Sequence, residues 1–256
     1  MDTCVHTSTA ETFPQMRGII RKGLLRLLTL TACLEFAALM YRRKVSRSNS
    51  LEGCINIAFD TFDFFPFRPW SIRPAQVREE VEELLKILME RRPRIMLEIG
   101  TAAGGTLFLF ARVAGPEAVL VSIDLPGGEF GGGYPQWRVP LYRSFVSKEQ
   151  GVHLILGDSH AMSTLSIVER ILNPNRLDFL FIDGDHTYEG VKNDFEMYGK
   201  LVGKGGTIAI HDICPHPPET GCQVSKFWRE IKNEYRHTEI IRDENQKWAG
   251  IGVVYL

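Results

Sequence analysis

The sequence has almost no excess of either charge: across 256 residues, 30 Lys and Arg face 31 Asp and Glu, a formal net charge of -1. A chain so balanced offers no field for a polyanion, and this excludes bulk nucleic-acid binding as the main task. It also has no CxxC pair. Its five cysteines, Cys4, Cys33, Cys54, Cys214 and Cys222, are scattered and odd in number. That pattern predicts reduced thiols in a cytoplasmic protein rather than a secreted disulfide framework. An uninterrupted apolar run of spanning length is missing as well. "GLLRLLTLTACLEFAALM", Gly23 to Met40, comes nearest, but Arg26 and Glu35 break it. Basic residues flank it (Arg17, Arg21 and Lys22 before, Arg42, Arg43 and Lys44 after), and no small-residue cleavage site follows. The segment reads first as a helix packed against the main domain or a dimer mate, which leaves a homo-oligomer open. Peripheral membrane contact through residues 23–44 is the second reading. No internal repeat is visible.

What is present falls into two parts. Residues 1–70 form an extension with a Ser- and Thr-rich start expected to be disordered, the apolar helix, and a basic stretch "RRKVSRSNS" that reads as a linker. The aromatic and proline-dense "FDTFDFFPFRPWSIRP" follows, expected to be irregular and to cover one face of a core or line an acceptor pocket. Residues 71–256 form the principal domain. "AQVREEVEELLKILMERR" has apolar residues at helical spacing, Val77, Val81, Leu84, Leu85 and Leu88. Beyond it, apolar runs alternate with helical patterns: "RIMLEIG", "AVLVSID", "VHLILGD", "LDFLFIDGD" and "GGTIAIHD", with helices expected from Thr106, near Leu141, from Ser163, from Tyr188 and from Val224. Five such alternations predict an α/β, doubly wound, mostly parallel sheet. "TEIIRD" and "AGIGVVYL" close the chain with only a short connection, so the last strand should be antiparallel, giving seven strands in a Rossmann-like sheet.

"LEIGTAAGGT" places a loop of Gly, Ala and Thr at the end of the first strand, where a doubly wound sheet binds ligands. A P-loop is excluded because Thr106 stands where its lysine must be, although Gly100 and Gly105 have the spacing. A dinucleotide fingerprint is weakened because Ala102 takes the second glycine position. The remaining class is a nucleoside without phosphates, chiefly S-adenosylmethionine. The residues for it are Glu98 before the loop, Gly100, Thr101 and Gly104 within it, Asp124 closing "VSID" for ribose hydroxyls, and Asp158, Ser159 and His160 in "LGDSH" beside an adenine.

From Arg94 to Leu256 these motifs resemble the class I S-adenosylmethionine-dependent methyltransferases. "LEIGTAAGGT" is similar to the glycine loop of the catechol and caffeoyl-CoA O-methyltransferases. "FIDGDHTYEGVKNDFEMYGKLVGKGGTIAIHD" looks like the bacterial branch of macrolide and sugar O-methyltransferases and the proteins named cephalosporin hydroxylases.

A second constellation ends strands four and five: Asp183, Asp185 and His186, then His211 and Asp212. Two carboxylates suit a hard divalent ion such as Mg²⁺. The resemblance implies Asp183 and Asp212 as metal ligands. His211 stands where the sugar enzymes tend to have glutamate, which shifts preference toward ions such as Mn²⁺. It also places His186 where related enzymes put a general base; Asp183 joins it as catalytic and also lies beside the cofactor. Two plainer readings compete. Asp183 could cap the helix from Tyr188, and His211, Cys214, His216 and Cys222 could hold zinc, though at no usual spacing. "LPGGEFGGGYPQWR", Leu125 to Arg138, reads as a lid, with Tyr134 and Trp137 as contact surfaces and Arg138 and Arg143 available to an anionic acceptor.

The expected function is O-methylation of a small hydroxylated acceptor, a natural product or sugar, assisted by a divalent metal. The alternatives are a nicotinamide-dependent oxidoreductase and a non-catalytic binding protein of the same fold.

Overall fold

The computed structural model describes residues 32–48, 50–60 and 71–256. The expected disordered start, the first part of the apolar helix and most of the aromatic, proline-rich stretch lie outside the described residues.

Seven strands form one sheet in the order β3-β2-β1-β4-β5-β7-β6. They are β1 Ile95–Ile99, β2 Val119–Asp124, β3 Gly151–Leu156, β4 Leu177–Ile182, β5 Val202–His211, β6 Arg236–Ile240 and β7 Ile251–Tyr255. The first five pair in parallel, and β7 runs antiparallel to both of its neighbours. The reason lies in the connections. Each parallel neighbour is reached through a crossover, whereas no helix intervenes between β6 and β7.

The central strands β1, β2, β4, β5 and β7 are largely buried on both faces, which explains their continuous apolar runs. Met96, Leu120, Phe179, Phe181, Ala209 and Val253 pack on one side; Leu97, Val121, Leu180, Ile182, Ile208 and Val254 pack on the other. The first side is covered by α3 (Arg78–Arg91), α4 (Gly105–Val113) and α5 (Val139–Arg143), the second by α6 (Met162–Leu172), α7 (Tyr188–Tyr198) and α8 (Val224–Ile231).

Two helices from the extension join the first core. Residues 32–47 are helical (α1) and bury Leu34, Ala37 and Tyr41, one face at helical spacing. Tyr41 meets Phe108 and Phe145 with ring centroids 6.3 Å apart. Where a linker was expected over "RRKVSRSNS", the helix runs on to residue 47, because Val45 continues the face set by Tyr41 and packs on the same core. Ser50 then accepts from the Gly53 amide and caps a further helix, α2 (Leu51–Phe59). Among the described residues no helix is long and apolar enough to cross a membrane.

The strand order reverses between β1 and β4, so the carboxyl ends of β1, β2, β4 and β5 open onto a common crevice.

Candidate active site

That crevice holds a cavity of about 570 Å³. The glycine loop forms its floor. Gly100 has φ +88°, and a side chain there would strike the backbone of Asp183 and Gly184. Gly104 has φ +87°, caps α4 and lies against the ring of Tyr142. Both positions demand glycine, the first because β1 and β4 come together there. The Tyr142 hydroxyl donates to the Ala102 carbonyl and closes the loop from outside.

Glu98 does not line the cavity. It is buried beneath the loop, accepting from the Thr101 hydroxyl at 2.8 Å, and Thr101 also meets the Ser122 hydroxyl at 2.6 Å. Burial pushes the Glu98 carboxyl up to about 8, against hydrogen bonds from Thr106 and Thr101 that pull it down. Thr101 itself lines the cavity.

Asp124 reaches the cavity but is heavily engaged. Its carboxylate accepts from the amides of Ala102 at 2.9 Å, Leu125 at 3.1 Å and Tyr134 at 3.1 Å. Burial raises its pKa to about 6 against those three bonds. Asp124 thereby ties the glycine loop to the Gly-rich segment after β2. Asp158, Ser159 and His160 line the neighbouring wall. The His160 ring meets buried Asp194 at 3.3 Å, and this partner, opposed by burial, lifts its pKa to about 9.

At the other end Asp183, His186, His211 and Asp212 converge. His211 Nδ1 lies 3.0 Å from Asp183 and 3.3 Å from Asp212. His186 spans the same pair, with Nε2 3.4 Å from Asp183 and Nδ1 3.0 Å from Asp212. Burial lowers both imidazole pKa values, but the two carboxylates outweigh it and lift His186 to about 12 and His211 to about 10. Burial opposes ionisation of the acids too, yet the histidines hold both Asp183 and Asp212 below the usual carboxylate range. Asp212 has φ +63°, an uncommon conformation stabilised by the Ala249 amide, which donates to Oδ1 at 3.0 Å.

Asp185 stands apart from this cluster, accepting from the Thr187 amide. Thr187, not Asp183, caps α7. The four residues of the suggested zinc set are not drawn together: Cys214 turns toward Gln246, whereas His216 and Cys222 face Asp212 and His186. Of the lid residues, Tyr134 is fully buried against Tyr142, and Arg138 donates to the Ser71 and Ala103 carbonyls. Tyr134 does not form the contact surface expected of it, nor is Arg138 turned to the anionic acceptor expected for it, because both hold the loop down. Phe130 takes that place, stacking on His186 with centroids 4.9 Å apart.

Several wall residues escaped the sequence reading. Gln76 donates to Asp183 Oδ2 from the segment before α3, which is seated where Ile72 and Pro74 press on Gly105. Trp248 comes from the β6–β7 connection. Neither belongs to a motif; only a contact between distant segments reveals them.

Residues 97–213 match the family model described as a methyltransferase domain. The fold is that of the class I methyltransferases. Among solved structures similar to this methyltransferase fold is the O-methyltransferase TomG from Streptomyces achromogenes, in complex with SAM (S-adenosylmethionine). It is 19% identical, with a TM-score of 0.56 over 79% of this chain and 89% of that one. Cofactor-bound Rv0187 from MTB is 19% identical, with a TM-score of 0.54 over 81% and 90%. An uncharacterised protein of Acanthamoeba polyphaga mimivirus is 59% identical over 61 residues, which span 23% of this chain and 28% of that protein.

Proposed function

We propose that this protein is an S-adenosylmethionine-dependent O-methyltransferase that acts on a hydroxyl of a small molecule, a natural product or sugar, with a divalent cation assisting. The observation that carries the reading is one cavity shared by two chemistries. A glycine loop with Asp124, Asp158, Ser159 and His160 suits a nucleoside and an amino acid, and a carboxylate–imidazole cluster faces the same space.

Gly100 to Gly104 would hold the amino-acid part of the cofactor, Asp124 its ribose hydroxyls, and Asp158, Ser159 and His160 its adenine. Glu98 acts from beneath, fixing Thr101. When bound, S-adenosylmethionine would supply an electrophilic methyl group to the acceptor hydroxyl, the carbon–sulfur bond breaking to leave S-adenosylhomocysteine. Proximity and in-line alignment supply most of the rate. Asp183, His211 and Asp212 fit a divalent cation: their ligand atoms lie within 4.8 Å of one another, and two carboxylates balance its charge. When bound, such a cation lowers the pKa of a coordinated hydroxyl and fixes its position. His186 takes the hydroxyl proton on Nε2. That role requires a neutral imidazole, hence another positive charge on the acids that now hold its proton. Phe130 stacks on the ring and keeps bulk water from it.

The test begins with calorimetric titration of S-adenosylhomocysteine into chelator-treated protein, with and without Mg²⁺ or Mn²⁺. Transfer of a labelled methyl group to a panel of diols and glycosides follows. Micromolar cofactor binding with metal-stimulated transfer is expected. Absence of cofactor binding under every condition would overturn the reading.

A further inference from the structure

The groups gathered around Asp183 and Asp212 are the Gln76 amide and a set rich in imidazole nitrogen. His211 Nδ1 faces both acids, and His216 Nε2 lies 3.2 Å from Asp212 Oδ1. His186 and Cys222 close on Asp212 from the other side. Three imidazoles and a thiol thus surround two carboxylates.

One of these nitrogens is unsatisfied. His211 Nδ1 is hydrogen-bonded to Asp183, whereas Nε2 of His216 is buried and has no hydrogen-bond partner, in a side chain only 9% exposed. His216 Nε2 is close to Asp212 yet outside hydrogen-bonding geometry. Burying a polar atom without a partner is unfavourable, so His216 Nε2 is stable beside Asp212 only where it meets something else there. Asp212 divides its oxygens accordingly: Oδ1 faces His211 and His216, and Oδ2 faces His186.

We propose that the cation held at Asp183 and Asp212 is a nitrogen-preferring first-row ion of the Mn²⁺, Fe²⁺, Co²⁺ or Zn²⁺ class, and that His211, with His216 beside Asp212, selects it over Mg²⁺. This rests on the cation-assisted reading above. Mg²⁺ demands near-octahedral oxygen coordination and keeps its waters, whereas imidazole ligands favour the later divalent ions in the order Mn, Fe, Co. Two carboxylates and the Gln76 amide would by themselves suit Mg²⁺ with its waters. The selectivity is therefore written at His211, with His216 as a second nitrogen beside Asp212 Oδ1.

The test uses the full chain, stripped by chelator, without cofactor. Binding of Mn²⁺ is followed by loss of the free-ion electron paramagnetic resonance signal, and binding of Co²⁺ by visible absorption, each against increasing Mg²⁺. One ion per chain is expected, retained against about a hundredfold excess of Mg²⁺. His211→Glu should shift the Mn²⁺-to-Mg²⁺ preference toward Mg²⁺ by about tenfold or more, and His216→Gln should shift it in the same direction by less. Displacement of Mn²⁺ by equal Mg²⁺ in the unsubstituted protein would overturn the proposal, whatever the variants do. So would a Co²⁺ thiolate charge-transfer band lost in Cys222→Ser, which would place the ion on His186, Asp212 and Cys222 instead. Titration of S-adenosylhomocysteine into the same samples separates the two failures. Cofactor binding without cation selectivity removes only this inference; selective cation binding without cofactor binding removes the methyltransferase activity and leaves the site.

Discussion

Replacement of Gly100 by alanine tests the tightest contact of the site. The residue sits at φ +88°, and a Cβ there would overlap the Asp183 carbonyl oxygen and stand 2.8 Å from the Gly184 amide nitrogen. Holding alanine in a left-handed conformation costs about 1–2 kcal/mol. The overlap is with backbone of the turn that follows β4, so no rotamer relieves it, and overpacking of this kind adds about 1–3 kcal/mol. The sum, roughly 2–5 kcal/mol, is a large part of the roughly 5–15 kcal/mol that stabilises a typical domain. Gly127→Ala is the control: its φ is +79° but no atom lies within 4 Å of the added carbon. It should lose only the conformational part, about 1–2 kcal/mol. Urea midpoints and thermal melts of both variants measure the difference, and at this size Gly100→Ala should melt roughly 5–15 °C lower than the parent. Titration of S-adenosylhomocysteine should show that Gly100→Ala alone loses cofactor affinity, because β1 and β4 must separate to admit the methyl group. Equal losses in the two variants would refute the claim that close approach of β1 and β4, rather than backbone conformation, fixes Gly100.

Other perturbations probe other parts of the fold. Glu80 is buried and accepts from the Arg242 and Gly250 amides at 2.9 Å and from Gln246 at 2.6 Å, clamping the β6–β7 connection that supplies Ala249 to Asp212. Glu80→Ala should cost about 3–5 kcal/mol in urea unfolding and weaken cation binding; unchanged cation affinity would break the proposed link to Asp212. His160 has a folded pKa of about 9 against 6.5 for the free side chain. Its pairing with Asp194 therefore contributes fully below pH 6.5 and is lost as pH rises through 9. A stability profile from pH 6 to 10 should fall less steeply for His160→Ala than for the parent, and parallel profiles would dismiss the ion pair. Phe130→Ala removes the ring stacked on His186, so kcat should fall about tenfold or more with little change in folding stability; a change confined to KM would make Phe130 an acceptor contact instead.

The order of strands and helices, the antiparallel last strand and the glycine loop could all be read along the chain. Each depends on local chemistry: apolar runs of strand length, helical spacing, and residues free to take positive φ. The ends of β4 and β5 were legible for the same reason, since residues closing consecutive parallel strands share one edge of the sheet. The helix over 42–47 was not, because Arg42, Arg43 and Arg47 look like a linker until Tyr41 and Val45 are seen to face the core.

Partnership was decided only in three dimensions. Asp124 carries the same residue type in either reading, but the tertiary structure gives its carboxylate three backbone amides from two loops. Tyr134 and Arg138 looked like ligand contacts and instead brace the loop. Gln76, Trp248 and Phe130 enter the cavity from segments distant in sequence. A sequence specifies which side chains can bond and roughly where each strand ends. Which donor reaches which acceptor depends on how loops from separate strands pack together, and that is fixed only once the core beneath them has closed.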